Sequence, residues 1–341
     1  MTIAASVREY QFVIHGMDLC YRTSSRTLVS SVATWVHQFR RAEPLGRGSV
    51  TIHFEEVVSR NAVPLVLSPA SRHLFSGTRP VMGSSMRALW QCDIFVDEGR
   101  LIVDVHGHAV LIIDASQGMA HGYFVRPESM HPDLLESYFH YAMSELLKRQ
   151  DMFTLHATAL EYHGRGLLLP GNSGCGKTTG LLALLRAGYR YLSDDHPILY
   201  DAGTHVELLA APMKIEVTDQ TVSFIPELRE SLSGLLPQGV YKKSFHVEDI
   251  FPASSGQSCL PSMILFPQVT PMSYSCLQPM EKSEALAALM SSASLVHDDR
   301  TSTREFLAIS KLVRQAACYR LHFGQDILDL PRLISPLLER H

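Results

Sequence analysis

No C-x-x-C pair occurs in this sequence, and its six cysteines, Cys20, Cys92, Cys175, Cys259, Cys276 and Cys318, lie scattered. That spacing excludes a zinc ribbon and a disulfide frame, and it points to reduced thiols and a cytoplasmic setting. No apolar run approaches the roughly 18 residues that a membrane-spanning helix needs. The opening residues lack the basic-then-apolar order of a signal peptide. There is no long basic block, and the formal net charge is −4, so charge offers neither a nucleic-acid nor an anionic-membrane surface. The chain holds 17 histidines, yet none falls in H-E-x-x-H or another spaced metal pattern. Internal repeats and low-complexity tracts are also missing. What remains is a core-forming composition, 46% hydrophobic and 19% charged, over 341 residues, enough for two domains.

Residues 1 to 130 read as a β-rich domain. Tyr10–Ile14 and Ser49–Phe54 carry strand patterns, and Thr27–Phe39 places Val32, Trp35, Val36 and Phe39 at helical spacing. Ala62–Ser85 reads as irregular with weak strands. Arg100–Val105 and Ala109–Ile113 flank a His-Gly-His turn as a hairpin would, and Gly122–Arg126 adds a strand. Pro132–Gln150 has the spacing of a helix with a wide apolar face, and it is expected to join the two domains. The β-rich domain offers either substrate recognition or a brace for the C-terminal core.

Residues 131 to 341 alternate strands and helices. Phe153–Tyr162 and Leu167–Leu169 predict strands, with a helix after the second that ends near Gly188. Tyr189–Leu192 and Ile198–Tyr200 are further strands. Glu216–Gly234 has no clear period, and Tyr241–His246 reads as loop. Met263–Phe266 and Cys318–Phe323 read as strands. Lys282–Ser291 and Thr301–Ala317 read as helices, the latter with Phe306, Ile309, Leu312 and Val313 inward. Ile327–Arg340 reads as a helix interrupted at Pro331 and Pro336.

Between the second strand and its helix lies Gly171-Asn172-Ser173-Gly174-Cys175-Gly176-Lys177-Thr178. G-x-x-x-x-G-K-[ST] in a strand–loop–helix setting is the pattern of a phosphate-binding P-loop. Glycines admit positive φ and carry no Cβ, so backbone N–H groups can turn onto phosphate oxygens. The helix N-terminus adds partial positive charge. Lys177 is placed to reach the β- and γ-phosphates of ATP, and Thr178 to ligate Mg²⁺. Cys175 reads as a small spacer within the loop.

Asp194-Asp195 closes the strand after this helix. Carboxylates at that position can hold Mg²⁺ and accept a proton from an attacking hydroxyl. Consecutive strand residues point to opposite faces, so both acids serve one site only if the chain turns there; Pro197 favours such a turn. A solvent-facing Asp-Asp turn is the alternative. His156 stands in an apolar strand, where a lone histidine is ordinarily a satisfied core residue. Lys214, Lys242 and Lys243 could clamp a transferring phosphoryl group, or stand solvated as surface lysines usually do.

In order, Leu155-His156-Ala157-Thr158, Gly164-Arg165-Gly166, the loop Gly171–Thr178 and Ala187–Asp195 together resemble the HPr serine kinase/phosphorylase family over roughly 40 residues. The resemblance implies an α/β P-loop kinase core with an α+β mixed sheet, of the type shared with ATP-using phosphoenolpyruvate carboxykinases. It implies ATP and Mg²⁺ as cofactors and a peptide or protein serine as acceptor. His156 becomes an active-site histidine, and Asp194 and Asp195 become the metal-binding and base carboxylates. Thr178, Asp194 and Asp195 are the implied metal ligands. ATP is expected along Gly171 to Thr179. Thr179 stands where the family has an acidic residue, and the family's later Arg-Gly-x-Gly signature is missing. Both differences direct the likeness to diverged HPr-kinase-related proteins, some of which phosphorylate a serine of a precursor peptide. Family members form homo-oligomers, which carries that expectation here. A small-molecule hydroxyl kinase and a non-catalytic nucleotide-binding partner remain the alternative functions.

Overall fold

The computed structural model describes residues 7–33, 35, 39, 48–80, 89–211, 213–232, 242–293 and 298–340. The chain divides into two units, Met1–Gln150 and Asp151–His341, and both are mixed α/β.

The first unit is built on one sheet. Its strands are β1 (Arg8–Ile14), β2 (Met17–Thr23), β3 (Ser49–Val57), β4 (Arg72–Pro80), β5 (Leu89–Asp97), β6 (Arg100–Val105), β7 (Ala109–Asp114) and β8 (Met119–Val125). They lie in the order β1-β2-β3-β8-β7-β6-β5-β4. The β2–β3 and β3–β8 pairs are parallel. Alternation buries Phe12, Ile14, Leu19, Tyr21, Ile52 and Phe54. Helix α1 (Pro132–Leu147) lays Tyr138 and Phe139 on these side chains, with Phe139 5.7 Å from Tyr21 and Tyr138 5.1 Å from Phe124 between ring centroids. Its wide apolar stripe is therefore core of this unit. The boundary moves from 130 to 150 for that reason.

Two further expectations change here. Within Ala62–Ser85, expected to be irregular with weak strands, Arg72–Pro80 is one nine-residue strand; its partner β5 supplies the register that its own Gly and Pro obscure. Within Thr27–Phe39, Leu28–Val32 forms a 3₁₀ turn, with Val32 and Trp35 buried, and Val36 lies outside the described residues.

The second unit contains β9 (Met152–Thr154), β10 (Ala157–Tyr162), β11 (Arg165–Pro170), α2 (Lys177–Leu185), β12 (Arg190–Ser193), β13 (Ile198–Asp201) and β14 (Val206–Leu209). Next come β15 (Ile215–Val217), α3 (Asp219–Phe224), α4 (Pro226–Ser231), β16 (Lys243–Phe245), α5 (Val247–Ile250), β17 (Ser258–Val269) and β18 (Cys276–Pro279). The unit ends with α6 (Lys282–Met290), α7 (Asp299–Gln315), β19 (Ala317–Phe323) and α8 (Leu330–Arg340). The main sheet runs β12-β10-β11-β17-β14-β13-β9, with β19 paired to β17 and β18. β17 is paired in parallel with both β11 and β19, while β10 and β12 lie on the other side of β11, with β10 antiparallel to both. Two apolar layers cover the sheet. One joins Leu167 and Leu169 to Leu181, Leu184, Ile334 and Leu338. The other joins Leu168 and Ile264 to Ile309, Leu312 and Leu289.

Several local expectations give way in this unit. Phe153–Tyr162 is two strands: β9 pairs with β13, and β10 pairs with β11 and β12. Lys243–Phe245 is a strand paired with β15, not loop. On α7 the inward set is Thr301, Glu305, Ala308, Ile309, Leu312 and Val313, while Phe306 is 45% exposed. Phe306 sits about 100° round the helix from Glu305, off the buried stripe. Pro331 occupies the first turn of α8, where a missing N–H costs nothing, so only Pro336 lies inside the helix.

Candidate functional site

β11 is buried along Gly166–Pro170 and delivers the chain into the glycine-rich loop. Gly171, Gly174 and Gly176 have φ of 145°, 87° and 100°, a region that side-chain-bearing residues avoid. A Cβ at Gly171 would stand 2.8 Å from the Cys175 sulfur, so Cys175 packs into the space that glycine leaves. Gly176 caps α2, and Lys177 opens it. Asn172 and Ser173 are exposed, as the rim of an open loop requires.

Lys177 is buried, and its stem curls back over the loop. Nζ donates to the Gly171 carbonyl at 2.6 Å and reaches the Asn172 carbonyl at 3.4 Å. The same ammonium lies 3.7 Å from Asp195 Oδ1 and 3.4 Å from His156 Nε2. One cation therefore joins the loop, the second carboxylate and the histidine.

Asp194 and Asp195 follow the last residue of β12, and Asp195 adopts a left-handed φ of 71°. That turn breaks strand alternation and brings both carboxyls to the loop. Asp194 is buried and accepts hydrogen bonds from Thr178 Oγ1 at 3.0 Å and from the Thr158 hydroxyl. Its backbone N–H donates to the Tyr191 hydroxyl at 2.9 Å, which donates onward to the Met213 carbonyl at 2.9 Å. Burial, and then the neighbouring Asp195 charge, push the Asp194 carboxyl up to about 7 against the pull of Thr158, Thr178 and Lys177. Asp195 goes the other way. Burial opposes its charge, but His196, Lys177, His156 and Lys242 outweigh it and hold the carboxyl below the usual range. Of the two, Asp195 is therefore the stronger acid and Asp194 the carboxyl with the higher proton affinity.

His156 occupies the break between β9 and β10. Its backbone N–H donates to the Ser292 carbonyl at 2.7 Å, while Leu155 N–H turns to Pro197. Strand-pairing exchange, not an apolar strand interior, sets its position. Nδ1 lies 3.8 Å from Asp195 Oδ1. Burial and then the Lys177 charge lower its pKa against Asp195, which favours the neutral ring.

The structure brings together His156, Lys177, Thr178, Asp194 and Asp195. Thr179 turns elsewhere: its Oγ1 is 3.4 Å from Thr221 Oγ1, at the start of α3. Lys242 bonds Glu216 at 3.3 Å, and its charge is felt at Asp195 and His156. Lys243 instead bonds the Leu232 carbonyl at 2.8 Å and Asp219 at 3.1 Å. Lys214 directly follows Met213, the acceptor of the Tyr191 hydroxyl. Sequence reasoning assigned no role to Thr158 or Tyr191. Thr158 acts on Asp194 from a neighbouring strand, and Tyr191 bonds the backbone of Asp194 and of Met213, contacts that no spacing rule reports.

Thr178 and Asp194 offer hard oxygen donors held together, a set suited to a small divalent cation. Asp195 offers an ionised carboxylate beside a lysine. No helix among the described residues is long and apolar enough to cross a membrane. No family model and no curated protein matches the chain. Among solved structures, the Hpr(Ser) kinase/phosphatase from Coxiella burnetii is similar at 14% identity, over 55% of this chain and 95% of that chain, with a TM-score of 0.29. A superposition score that low carries no weight for activity; the side-chain geometry does.

Proposed function

We propose that this protein is an ATP- and Mg²⁺-dependent kinase that transfers the γ-phosphoryl group to a hydroxyl, a serine of a peptide or protein. The observation that carries the reading is the convergence of Lys177 and Asp195 at 3.7 Å beside Thr178 and Asp194 at 3.0 Å. The amides of Gly171 to Thr179 would line the phosphates, and Lys177 would exchange its bonds to loop carbonyls for phosphate oxygens. Thr178 and Asp194 would hold Mg²⁺, which when bound neutralises charge on the phosphoryl oxygens. A cation at that point also offsets the burial that holds the Asp194 carboxyl up.

Asp195 is the ionised carboxylate and takes the proton of the acceptor hydroxyl. The acceptor oxygen forms its bond to the γ-phosphorus as the bridging P–O bond breaks, and ADP leaves with that electron pair. Neutral His156 flanks Asp195, its Nδ1 3.8 Å from Oδ1. Lys242 lies within electrostatic reach of the same carboxylate and is the lysine best placed to steady the phosphoryl oxygens.

The test is transfer of label from γ-labelled ATP to a pool of serine-containing peptides with Mg²⁺. The wild-type chain is expected to label serine, and Lys177→Ala is not. Equal labelling by Lys177→Ala overturns the reading. Label on a small hydroxylated metabolite and on no peptide selects a small-molecule kinase instead.

A further inference from the structure

A second cluster of ligating side chains lies in the first unit and is independent of the kinase reading. His53 and Glu55 stand on one face of β3, two residues apart. His121 on the parallel strand β8 is the direct register partner of His53. One ligating atom from each of the three lies within 4.8 Å of the others, and all three residues are half-buried. His53 Nδ1 is 3.3 Å from Glu55 Oε1, and the two imidazoles sit 5.6 Å apart at an interplanar angle of 66°. Tyr123, register partner of Glu55, lies alongside His121 at 6.5 Å with its ring turned by only 17°. Among the described residues this is the one such group of three.

We infer that His53, Glu55 and His121 form a binding site for a divalent transition-metal ion of the zinc type. Two imidazoles and one carboxylate are borderline donors that suit Zn²⁺ and its first-row neighbours. Mg²⁺ and Ca²⁺ prefer oxygen alone. Zinc–ligand bonds of about 2.0–2.1 Å in a tetrahedron place donor atoms about 3.3 Å apart. The three groups need only small side-chain rotations to reach that spacing. Their backbones are already fixed by neighbouring strands, so little ordering is required on binding. The competing positive charge is compensated: Arg22, register partner of His53 on β2, bonds Glu9 at 2.9 Å. Three protein ligands leave a fourth position open to water or to an outside ligand.

The experiment is a Zn²⁺ titration of the full chain against a chromophoric chelator, in excess Mg²⁺ so that oxygen-rich sites such as Thr178–Asp194 are not counted. One tight zinc equivalent is expected. His121→Ala and Glu55→Gln should each weaken it at least about tenfold, with unchanged far-UV circular dichroism. Asp93→Asn is the control. Asp93 contacts His106 at 2.8 Å and His73 at 3.6 Å elsewhere on the sheet, and its loss should leave zinc binding intact. Failure of the wild-type chain to bind, or wild-type affinity in both His121→Ala and Glu55→Gln, overturns the assignment. Neither result touches phosphoryl transfer, which is read separately.

Discussion

Thr178 and Asp194, 16 residues apart in sequence, meet in a hydroxyl–carboxylate hydrogen bond of 3.0 Å. Thr178 belongs to the first turn of α2 and Asp194 directly follows β12, so this contact ties the helix that opens after the loop to the acids beside it. The Thr158 hydroxyl holds the other oxygen of the same carboxyl. Both hydroxyl bonds favour the charged form, but burial and then the Asp195 charge outweigh them, and the Asp194 carboxyl is pushed up to about 7.

That shift makes the stability of the cation-free protein depend on pH. Folded Asp194 keeps its proton to about 7, while an unfolded aspartate releases it near pH 4. Between these values the folded chain binds more protons. The stabilisation is therefore complete below about pH 4 and is lost as pH rises through about 7, by up to roughly 1.4 kcal/mol per pH unit. Asp195 has the opposite sign. Its lowered value gives stability that is lost only as pH falls through that value, so it does not offset the decline near neutrality. His156, whose value is lowered, adds stability as pH rises towards the ordinary histidine value, so the Asp194 decline is read above it: thermal melts between about pH 6.5 and pH 8 in a chelator should show Tm falling. Asp194→Asn should flatten the fall and raise Tm at the alkaline end, and Mg²⁺ with nucleotide should do the same for the wild type.

Lys177→Ala removes a side chain that touches the loop, Asp195 and His156 at once. We expect phosphoryl transfer to drop by about 10²–10³-fold, the usual cost of losing one preorganised charge at a phosphoryl group. Lys177→Arg should not rescue it, because a planar guanidinium cannot occupy the pocket between the Gly171 carbonyl and Asp195. Isothermal titration with an ATP analogue and label transfer check both variants.

Tyr191 positions Asp194 without facing the loop. Tyr191→Phe strands the Asp194 N–H and the Met213 carbonyl, at a cost of about 1–3 kcal/mol for buried groups left unpaired. A positioning role predicts that kcat falls while the KM for ATP changes little. A purely structural role lowers Tm and leaves the kcat of the folded fraction unchanged.

Gly166 allows β17 to approach β11 near the start of that strand. A Cβ there would stand 2.7 Å from the Cys259 sulfur and 3.0 Å from Pro261 Cα. Gly166→Ala should cost about 1–3 kcal/mol by overpacking, read as a lower Tm. Adding Cys259→Ala should recover part of it, since the sulfur is the nearer obstacle.

The glycine-rich loop was legible because its chemistry needs contiguous residues, and the same holds for Asp194-Asp195. Their shared orientation was not legible. It depends on the left-handed turn at Asp195, for which Pro197 was only a hint. His156 looked like a mid-strand residue because Phe153–Tyr162 is largely apolar, while the break there reflects a change of partner strands. Thr179 reads as part of the loop by spacing but spends its hydroxyl on Thr221. β16 is only three residues long, too short for periodicity to register. The His53–Glu55–His121 cluster spans two strands that are distant in sequence, so no spacing motif could announce it.

In the proposed reaction Asp195 receives the acceptor's proton, and nucleotide binding does not depend on it. Asp195→Asn tests this most directly, because asparagine tolerates the left-handed φ and preserves shape while removing the base. Label transfer from γ-labelled ATP to serine peptides should be measured beside ATP-analogue affinity in the same variant. The expected result is affinity within a few-fold of wild type and transfer lowered by about 10²–10⁴-fold. Wild-type transfer by Asp195→Asn would contradict it.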